Sequence, residues 1–191
     1  SCAKFGYSKT LPYLIAQNSP YSSMYFESFE NTYEHNSNSL EYLEDGRVLR
    51  GEQGVVINDK AHSGKQSLLL KNAPDGFDLS KIYITPQLHE KGLWCKVWIA
   101  GEGYDRKRLT TALSLIATNG NDQQFARQFD VVAQRGEWIL VEAKWDDLES
   151  WTSIGEDIAL ALKFDFNSSG IEQVWVDDVR IQPLDAQASC Y

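Results

Sequence analysis

Two adjacent carboxylates interrupt an otherwise apolar run near the end of the sequence, V-W-V-D-D-V-R-I from Val174 to Ile181. Earlier stretches add further oxygen donors: F-E-N (Phe29 to Asn31) and the turn H-S-G-K (His62 to Lys65), which opens the apolar run Ser67 to Leu70. Carboxylates in such a pattern suit two kinds of chemistry. A pair flanking a glycosidic bond works as acid and nucleophile at about 5–5.5 Å, or as acid and base at about 6.5–9.5 Å. Carboxylates combined with the carbonyls of a tight turn instead supply the roughly six to eight oxygen ligands that calcium takes.

The catalytic option finds little further support. Acidic side chains abound, at Glu27, Glu30, Asp130, Glu142, Asp146, Asp147 and Asp165, but no G-x-S-x-G elbow and no H-E-x-x-H or C-x-x-C spacing occurs. His35, His62 and His89 are scattered in loop-like contexts, where surface or hydrogen-bonding roles are expected.

The second chemically rich feature is aromatic. Six Trp and nine Tyr offer flat apolar faces, and such faces stack on the C–H side of a pyranose while polar neighbours bond its hydroxyls. In L-W-C-K-V-W-I-A, Trp94 and Trp98 fall on the strand face opposite Cys95, Val97 and Ile99. Residues four apart on a strand are separated by about 13 Å, so the two rings form a stripe if that face is open. Arg127 and Gln128 would bond hydroxyls around the stripe if their strand neighbours it. Trp145 and Trp175 are further candidates, whereas Trp138 in G-E-W-I-L-V-E reads as a core residue.

Positioning these groups requires short strands. Alternating or apolar runs occur at Met24 to Phe29, Gly54 to Ile57, Ser67 to Lys71, Lys81 to Thr85 and Leu93 to Ala100. They continue at Thr111 to Ala117, Phe125 to Ala133, Trp138 to Trp145, Ile158 to Phe166 and Gln173 to Gln182. Turn residues separate them at Asp45, Pro74, Asn119, Arg135 and Asn167. Ten such runs, with one short helical turn near Asp147 to Ile154, predict an all-β domain of two packed antiparallel sheets. Parity places Asp177 with Val179 and Ile181, and Asp178 with Val174 and Val176 unless a bulge intervenes.

Length and charge set the outer limits. A chain of 191 residues is one domain by size, and its net charge of −9 repels phosphate backbones, which argues against nucleic acid as a partner. No stretch reaches the length of a membrane span. Cys95 alternates with core residues and is expected to pack as a small hydrophobe. Cys2 and Cys190, at opposite ends, form a disulfide only if the fold joins its ends.

Taken in order, the aromatic-acid pair of F-E-N, the Ser-Gly turn and the closing hydrophobic-Asp-Asp-Val strand resemble the jelly-roll carbohydrate-binding modules of the galactose-binding-like superfamily. That resemblance implies a β-sandwich with four or five strands per sheet whose first and last strands are neighbours. It also implies a structural Ca2+ joining them. Its ligands would be Glu30, the turn Ser63, Gly64 and Lys65, and Asp177 or Asp178, with Glu27 a weaker candidate. The function implied is non-catalytic: a glycan bound through Trp94 and Trp98, with Arg127 and Gln128 at the rim. Two other readings stand beside it, a structural spacer with no sugar ligand and a jelly-roll glycoside hydrolase. The E-x-D-x-x-E strand of the laminarinase-type sandwich is absent.

The termini differ in kind from the centre. Lys4 to Ser19 resembles the connecting segments of large bacterial surface proteins with Rhs or YD repeats, and Ile181 to Tyr191 resembles the exit from such a domain. The organisation expected is a connecting segment over 1–22, a sandwich over 23–184 and a tail over 185–191. The whole would lie within a longer extracellular or cell-surface protein and contact its neighbouring domains.

Overall fold

A computed structural model describes residues 2–6, 11–17, 19–30, 33–35, 40–42, 48–49, 54–71 and 76–190. Among them eleven strands build two antiparallel sheets around one core. The first five are β1 (Tyr25–Glu27), β2 (Val55–Ile57), β3 (Ser67–Lys71), β4 (Phe77–Tyr83) and β5 (Leu93–Ala100). Then come β6 (Leu113–Thr118), β7 (Gln124–Gln128), β8 (Asp130–Arg135) and β9 (Trp138–Trp145). The last two are β10 (Asp157–Phe164) and β11 (Gln173–Pro183).

The larger sheet runs β8-β9-β5-β11-β3-β2, with β1 also paired to β11; the smaller runs β7-β6-β10-β4. The first and last sandwich strands are thus neighbours, as expected, but the sheets hold seven and four strands rather than four or five each. Period-two alternation explains why these segments are strands. Leu113, Leu115 and Ala117 of β6 face the core with Ile158, Leu160 and Leu162 of β10. From the other sheet, Cys95, Val97 and Ile99 meet them. Cys95 is free and fully buried, and burial pushes its thiol pKa far up, so it packs as an inert hydrophobe.

The apolar run Phe125 to Ala133, which reads as one strand, is two. Phe129 is buried in the core and the chain crosses there from the edge of the small sheet to the edge of the large one. Helices are short: Pro86–Lys91, Arg106–Ala112 and Phe166–Ser169, with a 3₁₀ turn at Leu148–Ser150 inside the stretch expected to turn. At the ends, Leu11–Gln17 pairs with both Cys2–Gly6 and Gln187–Cys190. The Cys2 and Cys190 side chains, the turn at Asp45 and the first residues of the turn at Pro74 lie outside the described residues. A fourth, three-stranded sheet joins Tyr33–His35, Leu40–Tyr42 and Val48–Leu49.

Candidate functional site

The adjoining aspartates owe their placement to a β-bulge. Lys96 pairs with Arg180 and Trp98 with Asp177, so Val97 alone faces Asp178 and Val179. The extra residue takes φ +48 at Asp178, a left-handed conformation that Asp tolerates better than most residues. Val176 and Val179, three apart, therefore both face the core. Simple parity would have put Asp177 with Val179; the bulge turns it outward beside Trp98.

Outside the large sheet, the 58–66 connection between β2 and β3 folds back over that face. His62 stacks on Trp98 with ring centroids 3.8 Å apart and 13° between planes, and meets Trp138 edge-on at 5.9 Å. Lys60 places its Nζ 4.1 Å from the Trp175 ring centre and pairs with Glu137 at 2.6 Å. Carboxylates fasten this strap. Asp177 Oδ2 accepts from the His62 and Ser63 amides at 2.8 and 3.1 Å. Asp178 meets His62 Nδ1 at 2.8 Å and accepts from Ser63 Oγ at 2.9 Å. Glu30 Oε1 accepts from the Lys65 and Gln66 amides at 2.7 and 2.6 Å. Gly64, at φ +61, passes so close that a Cβ there would sit 2.4 Å from the Glu30 carboxyl carbon.

The residues named for calcium therefore do converge on one turn, and both aspartates reach it. Asp177 and Glu30 meet it through backbone amide donors, and Asp178 through the His62 ring and the Ser63 hydroxyl. Among the described residues no group of three or more His, Cys, Asp or Glu is placed to hold a metal. Asp177 is fully buried; burial first, and the Asp178 charge second, push its pKa up to about 8. Glu27 is also buried and accepts from the Phe29 amide at 2.8 Å, supporting the left-handed Phe29.

The expected Trp94–Trp98 stripe is a covered one. His62 occupies a face of Trp98, and Trp94 is 8% exposed with Lys96 and Arg180 over its ring at 4.4 and 4.9 Å. The assumed neighbours also differ: β5 lies between β9 and β11, while Arg127 and Gln128 belong to β7 in the other sheet. Adjacent strand residues point to opposite faces, and these two do. Gln128 Nε2 bonds Ser114 Oγ at 2.8 Å on the outer side, whereas Arg127 pairs across from the buried Leu115 and turns toward the gap between the sheets.

There Arg127 helps form a cleft of about 410 Å³ at the sandwich edge. Phe125, two residues earlier on the same face, stacks on Trp151 with centroids 4.3 Å apart and planes at 26°. Trp151 meets the buried Trp145 edge-on at 5.7 Å. Phe125 and Trp151 are themselves only half-buried. Arg127 Nη2 reaches Asp147 Oδ2 at 2.5 Å, and both side chains are partly exposed. That hydrogen bond, outweighing the effect of burial, holds the Asp147 carboxyl below its ordinary pKa. Gln124 and Ser150 complete the polar rim. Sequence reading placed Arg127 as a ligand contact but missed Phe125, Asp147 and Trp151. The i, i+2 spacing of Phe125 and Arg127 was the available signal; Trp151 joins them only through the 3₁₀ turn.

No family model and no curated protein sequence matches the chain. Among solved structures it is similar to the CBM22-1 xylan-binding domain of Paenibacillus barcinonensis Xyn10C, at 13% identity, covering 83% of this chain and 92% of that one with a TM-score of 0.46. The C-terminal family 22 carbohydrate-binding module of Clostridium thermocellum Xyn10B gives 11% identity, 87% and 98% coverage and 0.45. An apo-form cyclase from Fischerella sp. gives 13%, 86% and 82%, and 0.43.

Proposed function

We propose that the chain is a non-catalytic carbohydrate-binding module whose sugar site is the edge cleft. The observation carrying this reading is the half-exposed Phe125–Trp151 stack beside the Arg127–Asp147 pair. Aromatic faces with a few convergent polar groups, in a volume near the lower end of the usual 300–1,000 Å³ range, are the make-up of a small-ligand site. The ordered F-E-N, Ser-Gly and Asp-Asp-Val motifs support the same class. Fold alone would not, since one sandwich hosts unrelated functions. The resemblance of the terminal segments to Rhs/YD-repeat proteins supports a place in a longer, exported or cell-surface chain. No helix among the described residues is long and apolar enough to cross a membrane. An array of immobilised polysaccharides tests the reading: retention on at least one glycan is expected, and retention on none overturns it.

Calcium at the 62–66 turn belongs to the same proposal. Glu30, Asp177 and Asp178 would supply carboxylates and Ser63 and Lys65 carbonyls, and the ion's role would be structural. The convergence of these groups supports it, as does the crowding of two carboxylates at Asp177 that a dication would relieve. Binding requires the turn to exchange its amide contacts for carbonyl ones. Melting temperature should then rise with free calcium by mass action, and Glu30→Ala should mimic chelation; a melting temperature indifferent to both removes calcium.

The spacer reading is favoured by one observation. Every residue of edge strand β8 is exposed, with Val131 and Val132 at 39% and 48%, and an open apolar edge suits a protein neighbour.

A further inference from the structure

We infer that the edge cleft is selective for uncharged glycan residues, and that the Arg127–Asp147 ion pair sets this preference. The inference rests on the glycan-binding reading and adds to it the chemical class of the ligand and the residues that enforce it. Arg127 is the cation of the rim and Asp147 the anion, and they are joined at 2.5 Å. The second oxygen of that carboxylate, Oδ1, is buried, and Arg127 is the cation paired with the group. With Asp147 held ionised, the two charges cancel within the cleft. The remaining rim groups, Gln124 and Ser150, are neutral.

An acidic sugar, a uronate or a sulfate ester, would have to bring its anion beside Asp147 while Arg127 is already committed. It would either compete with Asp147 for the guanidinium or bind without a counter-charge. Both lose affinity. The net charge of −9 adds repulsion on approach. A neutral pyranose meets neither difficulty. Its hydroxyls accept from the guanidinium N–H groups that Asp147 leaves free, for Arg has five. They also bond Gln124 and Ser150, and its C–H face lies on the aromatic pair.

Removing the anion should reverse the preference. Asp147→Asn leaves Arg127 with an unspent positive charge in a partly desolvated cleft, which is how proteins recognise carboxylates and sulfates. The experiment is calorimetric titration of the full chain with hexasaccharides of glucose, xylose, mannose and galactose, and with oligogalacturonate and alginate fragments of equal length. Wild type is expected to prefer the best neutral ligand at least tenfold over the best acidic one, and Asp147→Asn to narrow that ratio tenfold or more through a gain on the acidic side. Arg127→Met, which keeps the side-chain stem, should weaken the neutral ligand without any acidic gain and serves as a second variant should Asp147→Asn fold poorly. Equal binding of both classes by wild type, or an unchanged ratio in Asp147→Asn, overturns the selectivity and leaves the module reading intact. Binding untouched by both Arg127→Met and Trp151→Leu moves the site away from the cleft and overturns the inference. Absence of binding to any glycan removes the module reading and this inference with it.

Discussion

Two aromatic clusters on this sandwich have nearly the same ingredients and opposite accessibility. Outside the large sheet, Trp98, Trp138 and Trp175 lie under His62 and Lys60, with three carboxylates pinning the strap that carries them. At the edge of the small sheet, Phe125 and Trp151 stack beside a single ion pair and remain half-open. The first cluster is richer in tryptophan and in charge, yet its binding capacity is already used by the chain itself. The second is sparser and keeps its stacked rings half-open. Counting aromatic and acidic residues does not locate a site; what covers them does.

If the covered cluster is structural, its substitutions act on stability. Asp177→Ala strips the acceptor from two strap amides and one of its own strand, each stranded donor costing about 1–3 kcal/mol. A loss of about 3 kcal/mol in urea unfolding is expected, with little change in glycan affinity. Gly64→Ala comes next: a left-handed backbone and a contact with the anchored Glu30 carboxyl should together cost about 2 kcal/mol. A neutral effect there would mean that the strap is not pressed against Glu30.

A pH comparison sharpens the same side. The Asp177 pKa is raised from its ordinary 3.8 to about 8 in the folded chain. Between those values the folded state holds a proton that the unfolded state has released, so stability falls as pH rises. The contribution is complete below about pH 4 and lost above about pH 8. Asp177→Asn, which keeps an acceptor for the amides, should flatten that part of the stability profile; an unaltered slope would place the titration elsewhere. The smallest effect belongs to the open cluster. Arg127→Met breaks only a partly exposed ion pair, so stability should move by less than about 0.5 kcal/mol even as glycan affinity drops.

Much of this fold was legible in the residues, and the reason is local. Alternation in Leu113 to Ala117 or in Leu93 to Ala100 reports a face directly, and the Asn119 turn marks where β6 stops, whereas the turn expected at Asn167 is a short helix. Three things were not local. Phe129 looks like the middle of one strand, and only the competition of two sheets for its neighbours shows that it crosses between them. The bulge at Asp178 shows in the sequence only as a parity conflict between Val176 and Val179, which does not say which residue is the extra one. The strap over Trp98 depends on contacts between residues 62 and 178, far apart in sequence, and so an exposed-looking stripe proved covered. At the cleft, Arg127 was readable as a polar strand residue, while its partners Asp147 and Trp151 arrive from a turn on another sheet.

The claim that the open cluster, not the covered one, takes the ligand is tested most directly by one calorimetric series. The glycan best retained on the array is titrated into wild type, Trp151→Leu and His62→Ala, each first shown to melt cooperatively. Loss of affinity by tenfold or more in Trp151→Leu, with His62→Ala within twofold of wild type, is the result expected. Undiminished binding by Trp151→Leu, or a marked change on uncovering Trp98 in His62→Ala, would contradict it.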